Sequence, residues 1–111
     1  MKIFISTPIN GRKESTLQEK REAANLRAKM LKAYMKSEYP HAVVVTPFDA
    51  VPLDSNLKEH EAVGECISLL LTCDTILLDR GWTASKGCNL EYRAAKLYNL
   101  HIIDGNGQIP E

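Results

Sequence analysis

Thr75-Ile-Leu-Leu-Asp79-Arg-Gly81-Trp82-Thr-Ala-Ser85-Lys86-Gly87-Cys-Asn-Leu-Glu91 runs from an unbroken apolar segment through a glycine-punctuated loop into an acid-bearing stretch with helical spacing. A short apolar run closed by turn residues reads as a strand buried on both faces, as a parallel sheet requires. Ser85 is a natural N-cap, so a helix is expected from there, with Leu90, Ala94 and Leu97 facing inward. Strand, loop and helix in that order put Asp79 to Lys86 at the carboxyl end of a strand, where open α/β sheets hold their ligands.

The same pattern repeats on either side of this segment. Ile3, Phe4 and Ile5 form an apolar run closed by Ser6-Thr-Pro-Ile-Asn-Gly11, which predicts a first strand and a second ligand-facing loop. Ser15-Thr-Leu-Gln-Glu19 offers capping hydroxyls with an acid or amide three residues on, opening a long helix that ends before Pro40. Its inward positions are expected at Ala23, Leu26, Met30 and Ala33 or Tyr34. Ala42-Val-Val-Val-Thr46 predicts a second strand, and Pro47 with Pro52 an irregular loop. Asp54, Ser55 or Asn56 can cap a following helix whose stripe is Ala62, Val63, Cys66, Ile67, Leu70 and Leu71. Leu100 to Ile103 predicts the fourth strand. Strands alternating with helices imply right-handed crossovers. The expected fold is therefore a single-domain α/β three-layer sandwich, a flavodoxin-like open parallel sheet ordered 2-1-3-4, with a fifth strand left open.

Composition narrows the function. The 111 residues carry 14 Lys plus Arg and 14 Asp plus Glu, so the formal net charge is zero and nothing favours a nucleic-acid backbone as partner. Cys66, Cys73 and Cys88 are odd in number and form no CxxC pair, which suits a reducing cytoplasm better than a disulfide framework or a zinc knuckle. No signal-peptide core and no membrane-length apolar segment is present. His41, His60 and His101 are scattered without metal-ligand spacing, so no metal is expected. No cofactor is expected either: there is no GxGxxG or GxxxxGK[ST] pattern, and few aromatics to sandwich a flavin.

The candidate site residues come from the two loops and the helices beside them. Glu91, in the early turns of its helix, is placed either to offset the helix dipole or to act chemically. Ser85, Lys86 and Gly87 could hold an anion or hydroxyl at a helix start, or merely cap it. Gly81 punctuates the loop, and Trp82 is the only tryptophan; in a loop, burial in the core is less natural for it than covering a flat ligand, with packing over the sheet edge as the alternative. Ser6, Thr7, Pro8, Ile9, Asn10 and Gly11 offer compact groups around a strand end, and Arg12 could meet a phosphate. Asp79 could suggest a phosphoacceptor, but that chemistry needs an acidic pair after the first strand, where Ser6 and Thr7 stand.

With these residues in view, the chain resembles the nucleoside 2-deoxyribosyltransferase superfamily, and more closely its DUF4406 branch. The resemblance rests on Lys2-Ile-Phe-Ile-Ser-Thr-Pro-Ile-Asn-Gly11. It rests more specifically on Cys73-Asp74 leading through Gly81-Trp82, Ser85-Lys-Gly87 and Glu91 to Ala94-Ala95. It implies Glu91 as the nucleophile and Ser85 as a holder of the sugar or its phosphate. Arg12 and Lys86 would favour phosphorylated substrates, and Asp79 would orient hydroxyls. A carboxylate attacking an anomeric carbon follows the covalent logic of retaining glycosidases. Relatives usually carry an aspartate eight residues before the acid matching Asp74; here Cys66 stands there, with Glu65 beside it as the candidate replacement. The implied partners are a nucleoside or nucleotide and further copies of the chain, as a dimer or higher homo-oligomer. A non-catalytic nucleotide-binding module with the same pocket is the alternative.

Overall fold

The computed structural model describes residues 1–9 and 16–106. Strand β1 (Lys2–Ser6) leads to helix α1 (Leu17–Glu38), strand β2 (Val43–Val45) and a single turn of helix, α2 (Pro47–Ala50). Helix α3 (Glu59–Leu70), strand β3 (Thr75–Leu78), a 3-10 turn (Trp82–Ala84), helix α4 (Lys86–Leu97) and strand β4 (His101–Asp104) follow. The strands form one parallel sheet in the order β2-β1-β3-β4. This is the flavodoxin-like α/β architecture expected from the alternation. No fifth strand occurs among the described residues. None of the described helices is long and apolar enough to cross a membrane.

β1 is central, so both faces of its short apolar run are covered: Ile3, Phe4 and Ile5 are fully buried. Because side chains alternate along a strand, Ile3 and Ile5 join Leu31 and Met35 of α1 with Val44 and Leu77 in one layer. Phe4 joins Leu70, Ile76, Leu78, Cys88 and Ala95 in the other, beneath α3 and α4. Replacing a buried phenylalanine such as Phe4 by alanine removes about 3–5 kcal/mol.

Two helices turn differently from the sequence expectation. In α1 the buried positions are Ala24, Ala28, Leu31 and Met35, while Leu26 and Met30 are 63% and 61% exposed. In α4 the buried positions are Cys88, Glu91 and Ala95, with Leu90 and Leu97 exposed. On α1 the two stripes are alike in composition, each with two alanines and two large apolar residues, so periodicity alone does not choose between them; on α4 the buried face carries Glu91, which an apolar pattern does not select.

Local capping also refines the loops. Thr16 accepts from the Glu19 amide while Glu19 accepts from the Thr16 amide, a capping box that opens α1. The expected irregular loop after β2 instead begins with α2. There Thr46 and Asp49 make a second capping box and Pro47 sits at the first helical position. Asp54, Ser55 and Asn56 do not cap α3. Its N-cap is Lys58, which has no side-chain acceptor; only the reciprocal bond is made, from the Lys58 amide to Glu61.

Candidate functional site

The carboxyl ends of β1 and β3 lie side by side, with the Asp79 amide donating to the Ser6 carbonyl at 2.9 Å. This is the point where the strand order reverses. Strand alternation then separates the polar residues onto the two faces. Ser6 follows Phe4 by two and points to the α3/α4 layer, where its hydroxyl donates to Glu91 Oε1 at 2.6 Å. Thr7 points the other way, and its hydroxyl donates to Asp79 Oδ2 at 2.7 Å.

Glu91 is the central observation. It is 8% exposed, on the inward face of α4, and shares its layer with Cys88 and the apolar core around Phe4. Burial pushes its pKa up to about 7, against the opposing effect of the Ser6 hydrogen bond. A buried acid that titrates near neutrality beside a sheet switch point has the properties of a functional carboxylate. A mere counter-charge to the helix dipole would sit in solvent.

Cys66 approaches from α3. Its thiol is pushed up to about 12, first by burial and then by the nearby Glu91 charge. Glu65, the candidate replacement acid, is exposed, and no hydrogen bond joins it to the site residues among the described ones. One step along a helix turns a side chain by about 100°, and it is Cys66 that takes the inward direction.

Asp79 already has partners within the chain. It is 3% exposed and bound on every side: by Arg27 through Nε and Nη2, by Thr7, and by the Arg80 amide. The hydroxyl it orients is that of Thr7. Arg27, 25% exposed, was not singled out from sequence. Its partner lies 52 residues away, and no local pattern announces such a pair.

Trp82 is buried at 8%, contrary to the expectation that burial is the less natural state for it. Its ring lies 4.8 Å from that of Tyr92, and its Nε1 donates to Asp104 Oδ1 at 3.1 Å. The indole thus has both an apolar bed and a partner for its one donor, which removes the cost of burying it. Gly81, just before it, has φ +77°, a left-handed conformation that glycine adopts without a Cβ penalty.

Ser85 is the N-cap of α4 and accepts from the Cys88 amide at 3.2 Å. Asn89, also missed in the sequence, ties the preceding turn to the helix through the carbonyls of Thr83 and Ser85. Lys86 is exposed, and a side chain at Gly87 would meet only the Ser85 hydroxyl, at 3.9 Å. Pro8 is half-buried and Ile9 exposed; Asn10, Gly11 and Arg12 lie outside the described residues.

Two open concavities occur near the carboxyl ends of the strands, and neither includes Glu91. One, of about 380 Å³, is lined by residues 83–86 with Asn89, Leu90 and Arg93. The other, of about 220 Å³, lies between Thr7, Ala23, Ala24, Arg27 and Asp79. Among the described residues no three His, Cys, Asp or Glu side chains gather as a metal site would need.

Fold and site together define a flavodoxin-like α/β protein with one hydrogen-bonded, buried glutamate at its switch point. A family model described as domain of unknown function (DUF4406) matches residues 1–104, and the chain belongs to that family. A search of curated proteins finds none that matches.

Proposed function

We propose that this chain binds a nucleoside or nucleoside 5′-monophosphate and cleaves or exchanges its N-glycosidic bond through Glu91. The observation that carries the reading is the Ser6–Glu91 pair: a nearly inaccessible carboxyl, raised to about 7, aimed at the carboxyl end of the sheet. The resemblance to nucleoside 2-deoxyribosyltransferases in the Gly81-Trp82, Ser85 and Glu91 block supports the same assignment. In its ionised form Glu91 attacks the anomeric carbon. A carboxylate oxygen to carbon bond forms, the carbon to nitrogen bond breaks, and its electron pair leaves with the base. Water or a second base then attacks the glycosyl ester and restores Glu91. The Ser6 hydroxyl fixes which carboxylate oxygen is free to attack. Incubation with a panel of nucleosides and 5′-monophosphates should release free base and leave a glycosyl adduct visible by intact mass. Absence of both, with Glu91→Gln unchanged from wild type, would sink the proposal.

Cys66 favours a second reading. A thiol pushed to about 12 is a poor donor for the departing base, and loss of general-acid help removes a factor of about 10² to 10⁴ in rate. A non-catalytic nucleotide-binding module would keep the pocket and show thermal shifts with nucleotides but no turnover.

A further inference from the structure

We propose that Arg21 takes the place of a general acid at this site, receiving the departing base as an anion, and that the base it receives is a pyrimidine. This rests on the Glu91 reading above and adds what accepts the electron pair that the attack displaces. Arg21 lies in the early turns of α1, and its Nη2 donates to the carbonyls of Val51 and Pro52, at 3.3 and 3.0 Å, where the chain leaves α2. At the other end of that turn the Pro47 carbonyl lies 3.9 Å from Cys66 Sγ on α3. The single turn α2, which follows the carboxyl end of β2, thus joins Arg21 from one layer to Cys66 from the other. Electrostatics agree with that placement. Burial raises the Cys66 thiol most; beyond that, the Glu91 charge raises it further and the Arg21 charge opposes the rise. Cys66 is therefore within electrostatic reach of both the carboxylate and the guanidinium.

A guanidinium keeps its charge at any working pH, so it does not act as a proton donor, but it presents five N–H groups in one plane. Nη2 is held by the turn, and among the described residues Nε and Nη1 have no acceptor. Arg21 is half-buried and anchored, the condition under which a fixed donor stabilises charge that develops only during reaction. Arg27, by contrast, commits Nε and Nη2 to Asp79. When a Glu91 oxygen bonds to the anomeric carbon, the carbon to nitrogen electron pair passes onto the base. In a pyrimidine it spreads to the carbonyl oxygen beside that nitrogen, which accepts from Nε–H or Nη1–H of Arg21. No proton moves in this step, and the released anion takes one from water afterwards. Adenine has no such carbonyl, and its usual help is protonation of a ring nitrogen, for which a thiol pushed up to about 12 is unsuited.

The test is kcat/KM for base release from 5-fluoro-2′-deoxyuridine, 2′-deoxyuridine, thymidine and 2′-deoxyadenosine, each also as its 5′-monophosphate. Fluorine stabilises a negative base and methyl does not, so the rate should fall in that order, by at least about tenfold from the first to the third, with adenine last. Arg21→Met should lower the thymidine rate by about 10² to 10³, the loss expected on removing one donor to a developing negative charge. It should lower the 5-fluoro rate less, so the spread between substrates widens, and Arg21→Lys, which keeps the charge, should fall between. A purely structural role for Arg21 would lower all rates by one common factor. The substituent series uses the wild type alone, so it decides the matter even if Arg21→Met fails to fold. Rates indifferent to the 5-substituent, adenine released as fast as thymine, or a common factor across the series in a folded variant overturns this inference and leaves Glu91 in its role. Absence of base release and of a glycosyl adduct with every substrate removes the Glu91 reading, and this inference with it.

Discussion

Removing the charge of Glu91 should make the protein more stable at alkaline pH and, for an enzyme of the proposed kind, inactive at every pH. A carboxyl raised from its ordinary 4.5 to about 7 holds its proton about 3 kcal/mol more tightly in the folded chain than in the unfolded one. The folded state therefore binds more protons than the unfolded state between those two values. Stability from this group is complete below pH 4.5, declines as pH rises, and is gone once pH passes through 7. Glu91→Gln keeps the shape and still accepts from Ser6, but has no proton to lose. The stability difference, variant minus wild type, should thus grow from near zero at about pH 4 towards about 3 kcal/mol at about pH 8. Urea unfolding followed by Trp82 fluorescence measures it, since the only tryptophan is buried beside Tyr92. Subtracting the two curves at each pH cancels the other titrating groups. A difference that stays within about 0.5 kcal/mol across this range, the scatter of an ordinary surface change, would refute the reasoning. For an enzyme of the proposed kind, kcat/KM should rise with pH through about 7 as the nucleophile ionises.

Arg27→Met should cost about 3 kcal/mol in urea unfolding, because it leaves the 3% exposed Asp79 carboxylate without its cation. Thr16→Ala removes the acceptor for the Glu19 amide and should lower stability by about 1 kcal/mol, read as faster amide exchange in the first turn of α1. Cys66→Asp places an acid opposite Glu91 and should raise base release at least about tenfold if the missing proton donor limits turnover. An unchanged or lower rate in a folded variant would favour the binding-module reading.

Much of the candidate site could be read from the chain because it depends on local order. The apolar run Thr75–Leu78, the loop after it and the Ser85 cap fix where the helix that carries Glu91 begins, and the resemblance supplied its proposed role. What it touches could not be read. Ser6 lies 85 residues from Glu91, and only the parallel pairing of β1 with β3 brings that strand end under α4. The same alternation that aims Ser6 at Glu91 aims Thr7 away from it, dividing residues that had looked like one pocket.

The alternation of strand and helix, the strand order and the acid-bearing loop were determined by sequence alone, because turn residues and period-two or period-3.6 patterns act within a few residues. The rotation of α1 and α4, the burial of Trp82 and the pairing of Arg27 with Asp79 were decided only by tertiary structure. Two stripes of like composition on α1 give no local reason to bury one rather than the other, and no apolar pattern marks the face of α4 that carries Glu91; packing on the sheet decides both. On α1 that choice leaves Leu26 and Met30 facing outward, and on α4 it turns Glu91 into the core, where burial raises its pKa to about 7.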